Sequence, residues 1–274
     1  MVTGASRGIG KATAIGLANA GYDVAITART LHSGEQRDNS LSVHRPDDRP
    51  LPGSLEETAA EIQAAGRKSL VLPFDLTDLG AVQDAADRVL QEWGGVDVLV
   101  HNGRYIGPGL MDVLLDTPLD AYDKFLTAHL TAPLVLTRTL LPGMLERGGG
   151  TVVTITSSSA YSVPPAAAGK GGWGHAYAVG KAAGHQLVPT LHAEFGDRGL
   201  RCFNVEPGFV ATERNQIVVK DFGHDVSNGT PPAVIGSVVS WLVTDPAADA
   251  HRAETVHAQE LARTLGYLPA TVGT

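Results

Sequence analysis

Short runs of aliphatic and β-branched residues alternate along the chain with longer stretches whose apolar positions recur every three or four residues. That alternation predicts parallel strands joined by crossover helices. Strands are expected at 23–27, 68–72, 96–100, 151–156 and 201–205, and helices at 8–19, 54–65, 78–93, 119–145 and 175–195. Gly21 and Gly66 fall just past helix ends, where a left-handed residue closes the last turn. Ser54 stands three residues before Glu57, the spacing of a capping box.

Two segments interrupt the rhythm. Residues 31–53 are polar and contain Pro46, Pro50 and Pro52, so they are expected to form an inserted surface loop between the second strand and the next helix. Residues 163–174, VPPAAAGKGGWG, combine two prolines with four glycines and read as a mobile loop covering something. A short helix is expected in the carboxyl-terminal AETVHAQELARTLGYLP. With no repeat, interdomain linker or long charge run, residues 1–274 read as one domain.

Composition narrows the function classes. At 274 residues and 43% hydrophobic content the chain can bury a large core. Its 29 acidic and 21 basic residues give a formal charge of −8, the wrong sign for a protein that binds phosphate backbones, so no nucleic-acid partner is expected. Cys202 is the only cysteine, which precludes an internal disulfide, suits a reducing cytoplasm and reads as a buried structural thiol. No apolar run reaches the ~18 residues of a membrane span, and the opening MVTGASRGIG lacks the apolar core of a signal peptide. A soluble cytoplasmic protein without a membrane partner is the expectation. The ten histidines show no metal-ligand spacing, so no metal site is expected.

Three motifs carry chemistry. TGASRGIG, at residues 3–10, lies where a strand should turn into a helix, and Gly4, Gly8 and Gly10 would let backbone amides approach a pyrophosphate. Gly4, Ser6 and Gly8 also spell the GxSxG of a hydrolase nucleophile elbow, which would need earlier strands to build its sheet. Tyr177 and Lys181, in YAVGK, share one face of a helix, and an ammonium beside a phenol favours its anion. The hydroxyl run TSSSAYS follows the strand at 151–156, facing the crevice where parallel sheets bind ligands.

Together with Asp75 in FDLTD, LVHNG at 99–103 and EPGFVAT at 206–212, these motifs occur in the order and spacing of the classical short-chain dehydrogenase/reductase family, which the chain resembles over residues 1–245. The resemblance implies an α/β fold with a Rossmann-type doubly wound parallel sheet in three layers. It implies an NAD(P)(H)-dependent oxidoreductase that interconverts a carbonyl and an alcohol of a small-molecule substrate. It makes Tyr177 the general acid/base, Lys181 the group that holds the nicotinamide ribose and tunes the tyrosine, and Ser157 the group that orients the substrate oxygen, with Ser158 as an alternative. Gly4, Ser6, Arg7, Gly8, Ile9 and Gly10 resemble the pyrophosphate and ribose loop. Asp75 and Leu76 resemble the adenine contact, Asn102 and Gly103 the strand-four wall, and Pro207, Gly208, Val210 and Thr212 the turn beside the carboxamide. The end of strand two offers Ala28 and Arg29 rather than an acid, and Arg7 adds a second positive charge, so NADP(H) is favoured, with NAD(H) possible. A homodimer or homotetramer through the two longest helices is also implied. The rival reading is a non-catalytic nucleotide-binding or regulatory protein on the same fold.

The sequence departs from the family pattern at several places. His129 stands where the family has an asparagine that acts through its backbone carbonyl, holding a water in the lysine's proton relay; His129 is either a stand-in or a packed helix histidine. HNGR replaces NNAG, so Arg104 makes a loop salt bridge or contacts an anionic substrate. The stretch from Ser157 to Tyr177 is long, which should bring Trp173 and His175 near the site entrance. The tail lacks the family's double glycine. A motif beginning at Thr3 leaves little of the first, central strand, which is expected to be either trimmed or unusually short.

Overall fold

The structure is a computed structural model that describes residues 1–222 and 226–269. Seven parallel strands form one sheet in the order β3-β2-β1-β4-β5-β6-β7. These are β1 (Val2–Thr3), β2 (Val24–Ala28), β3 (Ser69–Pro73), β4 (Val98–His101), β5 (Gly150–Ile155), β6 (Leu200–Glu206) and β7 (Thr255–His257). The chain winds outward in both directions from β1, so the switch point lies between β1 and β4, where a crevice opens beyond the carboxyl ends of the strands. The first strand is two residues long, pairing Val2 with Ile26 on one side and with Val100 on the other. The first five expected strands after it all form, displaced by up to two residues, whereas β7 is an addition. Three residues in a helical-looking tail gave no strand pattern of their own, and pairing with β6 supplies the order.

Helices cover both faces. On one face α1 (Gly8–Asn19), α2 (Leu55–Ala64), α9 (Pro232–Thr244) and α10 (Ala258–Thr264) bury Leu17, Ile62, Val239 and Ala262 against Val2, Ile26 and Phe203. On the other, α3 (Leu79–Trp93), α5 (Ala132–Glu146) and α7 (Leu187–Phe195) bury Val89, Leu140 and Leu191 against Leu99, Val152 and Cys202. The three-layer expectation is met. Burial pushes the Cys202 thiol up to about 12, so it stays a neutral packing group. At the start of α2, Ser54 Oγ accepts from the Glu57 amide, the hydroxyl half of the expected cap. No helix among the described residues is long and apolar enough to cross a membrane.

Both long helices are broken, and proline explains each break. The stretch expected at 119–145 divides into α4 (Leu119–Leu126), a π turn (Thr127–Thr131) and α5. Pro133 lacks the N–H that would bond the His129 carbonyl in an α-helix, so the backbone widens there. The stretch expected at 175–195 divides into α6 (His175–His185) and α7 around Gln186. Pro189 likewise cannot serve the His185 carbonyl, which accepts instead from Asn204 Nδ2 at 2.9 Å.

Residues 31–53 contain no helix or strand and are mostly exposed, but the loop is anchored at buried positions. Leu41 and Leu51 are buried in a third apolar cluster with Ile106, Leu110 and Val219, and Ser42 bonds the buried Asp112. Two apolar anchors in a polar stretch are enough to fold the insert over the site's rim.

Candidate active site

The site is assembled from the ends of six strands, β1 to β6. After β1, Gly4 and Gly8 take left-handed backbone conformations (φ 69° and 56°) that turn the chain into α1. No side chain caps α1 and no acid lies in its first turn, so its amino amides are unclaimed, although the Glu213 carboxylate stands beside Gly8. Gly10, expected to meet cofactor, lies outside the cavity. A Cβ there would approach the Gly4 carbonyl oxygen to 2.2 Å, so its role is to let the helix abut the turn. At the end of β4, Thr3 Oγ1 accepts from the amides of Asn102 (3.0 Å) and Gly103 (2.9 Å), while Asn102 Nδ2 donates to the carbonyls of Thr3 and Gly4. The strand-four wall is thereby braced against the glycine turn.

Beyond β5, Ser157 Oγ accepts from Ser159 Oγ at 3.0 Å and from the Ser159 amide at 3.2 Å. From α6, Tyr177 and Lys181 project one turn apart and are 6% and 7% exposed. Lys181 Nζ donates to the Ile155 carbonyl at 2.7 Å. Beyond β6, Gly208 turns the chain (φ 65°), and Gln259 Nε2 holds the turn by donating to the carbonyls of Pro207 and Phe209. Thr212 Oγ1 caps α8 (Glu213–Ile217) by accepting from the Asn215 amide.

These groups line one cavity of about 380 Å³. Its wall includes Gly4, Ser6, Arg7, Gly8 and Ile9 at one end, Arg29, Asp75 and Leu76 beside them, and Asn102 and Gly103 behind. Ser157, Tyr177 and Lys181 stand across from Pro207, Gly208, Val210 and Thr212. Trp173 also lines it, its ring 5.5 Å from that of Tyr177, while His175 stands aside, bonded to the Tyr122 hydroxyl at 3.0 Å. A dinucleotide fits this wall, because an elongated cleft, a free helix amino end and glycines at the closest approach are what its phosphates need.

Some expected site residues have other work. Arg7 donates to the carbonyls of Pro52 (2.8 Å) and Gly53 (2.8 Å), tying down the end of the insert. Arg29 faces Asp75, with 3.7 Å between Nη1 and Oδ2. His129 lies outside the cleft, with its ring 5.9 Å from that of Tyr177 and both ring nitrogens unpartnered. Burial, followed by the charges of Lys181 and Arg104, pushes its pKa well below the usual histidine value, so the ring is neutral. A Cβ at Gly184 would sit 2.6 Å from the His129 carbonyl oxygen, so that oxygen faces α6. A second cavity of about 20 Å³ lies there, lined by His101, His129, Thr154 and Lys181. Two of its lining residues, His101 and Thr154, each carry a buried polar atom without a partner, and the cavity has room for one water. Sequence reasoning missed Arg214, Asn215 and Glu206 on the main wall. Arg214 lies two residues beyond the recognised turn, but a lone arginine there carries no sign of burial.

Burial, and then the Arg104 charge, lowers the pKa of Lys181 to about 7. In the unfolded chain lysine titrates near 10.4. Between these values the unfolded state binds more protons, so this group's contribution to stability rises with pH from about 7 and is most unfavourable below it. Lys181→Met should therefore stabilise the cofactor-free protein more at pH 6 than at pH 10. Urea unfolding at the two pH values tests this, and equal shifts would contradict the buried-ammonium assignment.

Among the described residues, no group of three His, Cys, Asp or Glu side chains could hold a metal. The sequence pattern of the family described as short chain dehydrogenase matches residues 49–222. The chain is 32% identical over 228 residues to the mouse protein called dehydrogenase/reductase SDR family member 7, with 82% of this chain and 58% of that one covered, so it spans little more than half of that relative's length. It is 30% identical to an L-rhamnose 1-dehydrogenase (NAD(P)(+)) of a Sphingomonas strain, over 79% of this chain and 74% of that one. Among solved structures it is similar to a Beutenbergia cavernae protein assigned as an NAD(P)-dependent gluconate 5-dehydrogenase and carrying NADP at low occupancy. That likeness has a TM-score of 0.74 and 26% identity and covers 97% of this chain and 95% of the other. A doubly wound sheet with a glycine turn at its switch point and a buried Tyr-Lys pair one helical turn apart agrees with these likenesses, and the chain belongs to the short chain dehydrogenase family.

Proposed function

We propose that this protein is an NADP(H)-dependent oxidoreductase that interconverts a carbonyl and an alcohol. The observation that carries the reading is the convergence of Ser157, Tyr177 and Lys181 on the cavity that also contains the Gly4–Gly8 turn. The dinucleotide would be held by the amino end of α1, Arg29, Asp75, Leu76 and the Pro207–Thr212 turn, with its ribose against Lys181. Bound there, the nicotinamide supplies hydride in the reducing direction and accepts it in the oxidising one. Tyr177 gives a proton to the substrate oxygen in reduction and takes it in oxidation. Ser157 donates a hydrogen bond to that oxygen and fixes its place. Lys181 sits close enough to neutrality at pH 7 to pass a proton onward. The small cavity behind it offers a water site bounded by the His129 carbonyl, which gives His129 a backbone role. Assembly as a dimer or tetramer through the α4–α5 and α6–α7 layers belongs to the same reading.

The preference for the phosphorylated cofactor rests on Arg29 at the end of β2, a strand end that contributes no acid of its own, although Asp75 from beyond β3 stands beside the guanidinium. The NADP carried by the Beutenbergia protein agrees with it. Replacing Arg29 by alanine should lower the NADPH-over-NADH affinity ratio about 10- to 100-fold, the usual worth of a charge-assisted hydrogen bond. Fluorescence titration of both cofactors measures the ratio, and a value independent of Arg29 would overturn the assignment.

A further inference from the structure

The chain as a whole is acidic, yet its main cavity is lined by five cationic side chains and two carboxylates. The cations are Arg7, Arg29, Arg104, Lys181 and Arg214; the carboxylates are Asp75 and Glu206. Most of these have a partner inside the protein. Arg7 is taken up by the insert's carbonyls, Arg29 faces Asp75, and Lys181 is bonded to the Ile155 carbonyl. Asp75 is itself held by Thr77, and Glu206 accepts from the Gly208 amide with its second oxygen 3.7 Å from His257.

Arg104 and Arg214 are different. Arg214 is 7% exposed, donates from Nη2 to Asn39 Oδ1 at 2.9 Å, and leaves Nη1 buried with no partner. The carboxylate nearest in effect, Asp47, has both oxygens occupied by Arg49. Arg104 forms no ion pair among the described residues and lies with its guanidinium 5.8 Å from the centre of the Tyr177 ring. Of the charges acting on Arg214, that of Arg104 is the largest, so the two guanidiniums repel one another across the same cavity. A buried guanidinium that lacks a counter-ion is costly, and a second cation beside it increases the cost. A ligand anion reaching both would offset it.

We propose that the substrate carries a carboxylate received by Arg104 and Arg214, so that the compound oxidised or reduced at Tyr177 is a hydroxy acid or oxo acid. The proposal rests on the oxidoreductase reading above for the location of the reacting carbon, because Arg104 stands over the ring of Tyr177. Arg7 and Arg29 also act on Arg214, but the dinucleotide's phosphates would have partners of their own in the amino end of α1 and in Arg29. Arginine suits the task, since its planar fork meets both oxygens of a carboxylate.

The test uses the protein loaded with oxidised or reduced cofactor. A series of aliphatic hydroxy and oxo acids, differing in the distance from oxygen to carboxylate, is titrated calorimetrically beside the matching primary amides. At least one acid should bind about 10- to 100-fold more tightly than its amide, and Arg104→Gln should abolish most of that ratio. Arg214→Lys, which keeps the charge, should retain more of the ratio than Arg214→Gln. Acids and amides binding alike, or no acid binding at all, would overturn the proposal. So would variants that weaken the cofactor as much as the acid, which would assign both charges to its phosphates. Turnover is read separately, because acid binding without hydride transfer would sink the oxidoreductase reading and leave the anion site standing.

Discussion

Replacing Tyr177 by phenylalanine should lower turnover about 1000-fold, within the ~100- to 10,000-fold range of a lost general acid/base, while leaving the fold intact. The stability half of this expectation comes from packing. Tyr177 is buried among Phe125, Trp173 and His129, with its ring 6.3 Å, 5.5 Å and 5.9 Å from theirs, and a phenylalanine ring keeps all three contacts. No hydrogen bond to the hydroxyl forms among the described residues, so deleting it strands no partner, and a stability change of about 0.5 kcal/mol or less is expected. The activity half comes from chemistry. No other hydroxyl joins Lys181 on the same face of α6, and Ser157 reaches the cavity from the end of β5, where the proposed mechanism gives it only the orienting of the substrate oxygen. Rate measurements under saturating cofactor, paired with thermal unfolding, separate the two halves. A variant as active as the parent would remove Tyr177 from the mechanism.

Gly10→Ala should destabilise the protein by about 3 kcal/mol and weaken cofactor binding, although Gly10 touches no part of the cleft. The new Cβ would lie 2.2 Å from the Gly4 oxygen and 2.4 Å from Asn102 Nδ2. Neither neighbour can yield cheaply. The first is backbone in the left-handed turn, and the second braces β4 by donating to the Thr3 and Gly4 carbonyls. Relief of the clash must move the turn and the strand-four wall together, which changes the surface that a dinucleotide would meet. For a chain of this size the midpoint should fall by about 5–10 °C. Scanning calorimetry with and without NADPH tests both parts, and an unchanged midpoint would mean that α1 does not abut the turn this closely. Gly4→Ala should be harmful for a different reason, its positive φ.

The parts of the site legible in the sequence are those set by local rules. A glycine turn, a hydroxyl run and a Tyr-Lys pair each occupy consecutive or helix-spaced positions, so their order along the chain carries through to the strand ends. The helix breaks were legible in principle, since Pro133 and Pro189 remove identifiable N–H groups, but an uninterrupted apolar period masks them. The insert was legible as a loop but its anchoring was not, because Leu41 and Leu51 acquire meaning only from Ile106, Leu110 and Val219, far along the chain. The same holds for Arg214. In sequence it is one more charge on an acidic chain, and only the fold shows that it is buried, lies beside Arg104 and has one nitrogen without a partner.

The proposed action of Tyr177, Ser157 and Lys181 on a substrate held beside a nicotinamide in this cleft is measured by following the absorbance of reduced nicotinamide when the protein is mixed with NADPH and a panel of carbonyl compounds weighted toward oxo acids, and by the reverse reaction with alcohols and NADP. At least one carbonyl should oxidise the cofactor, at a rate that Tyr177→Phe reduces about 1000-fold. Tight binding of NADPH with no turnover by any member of either panel would contradict it.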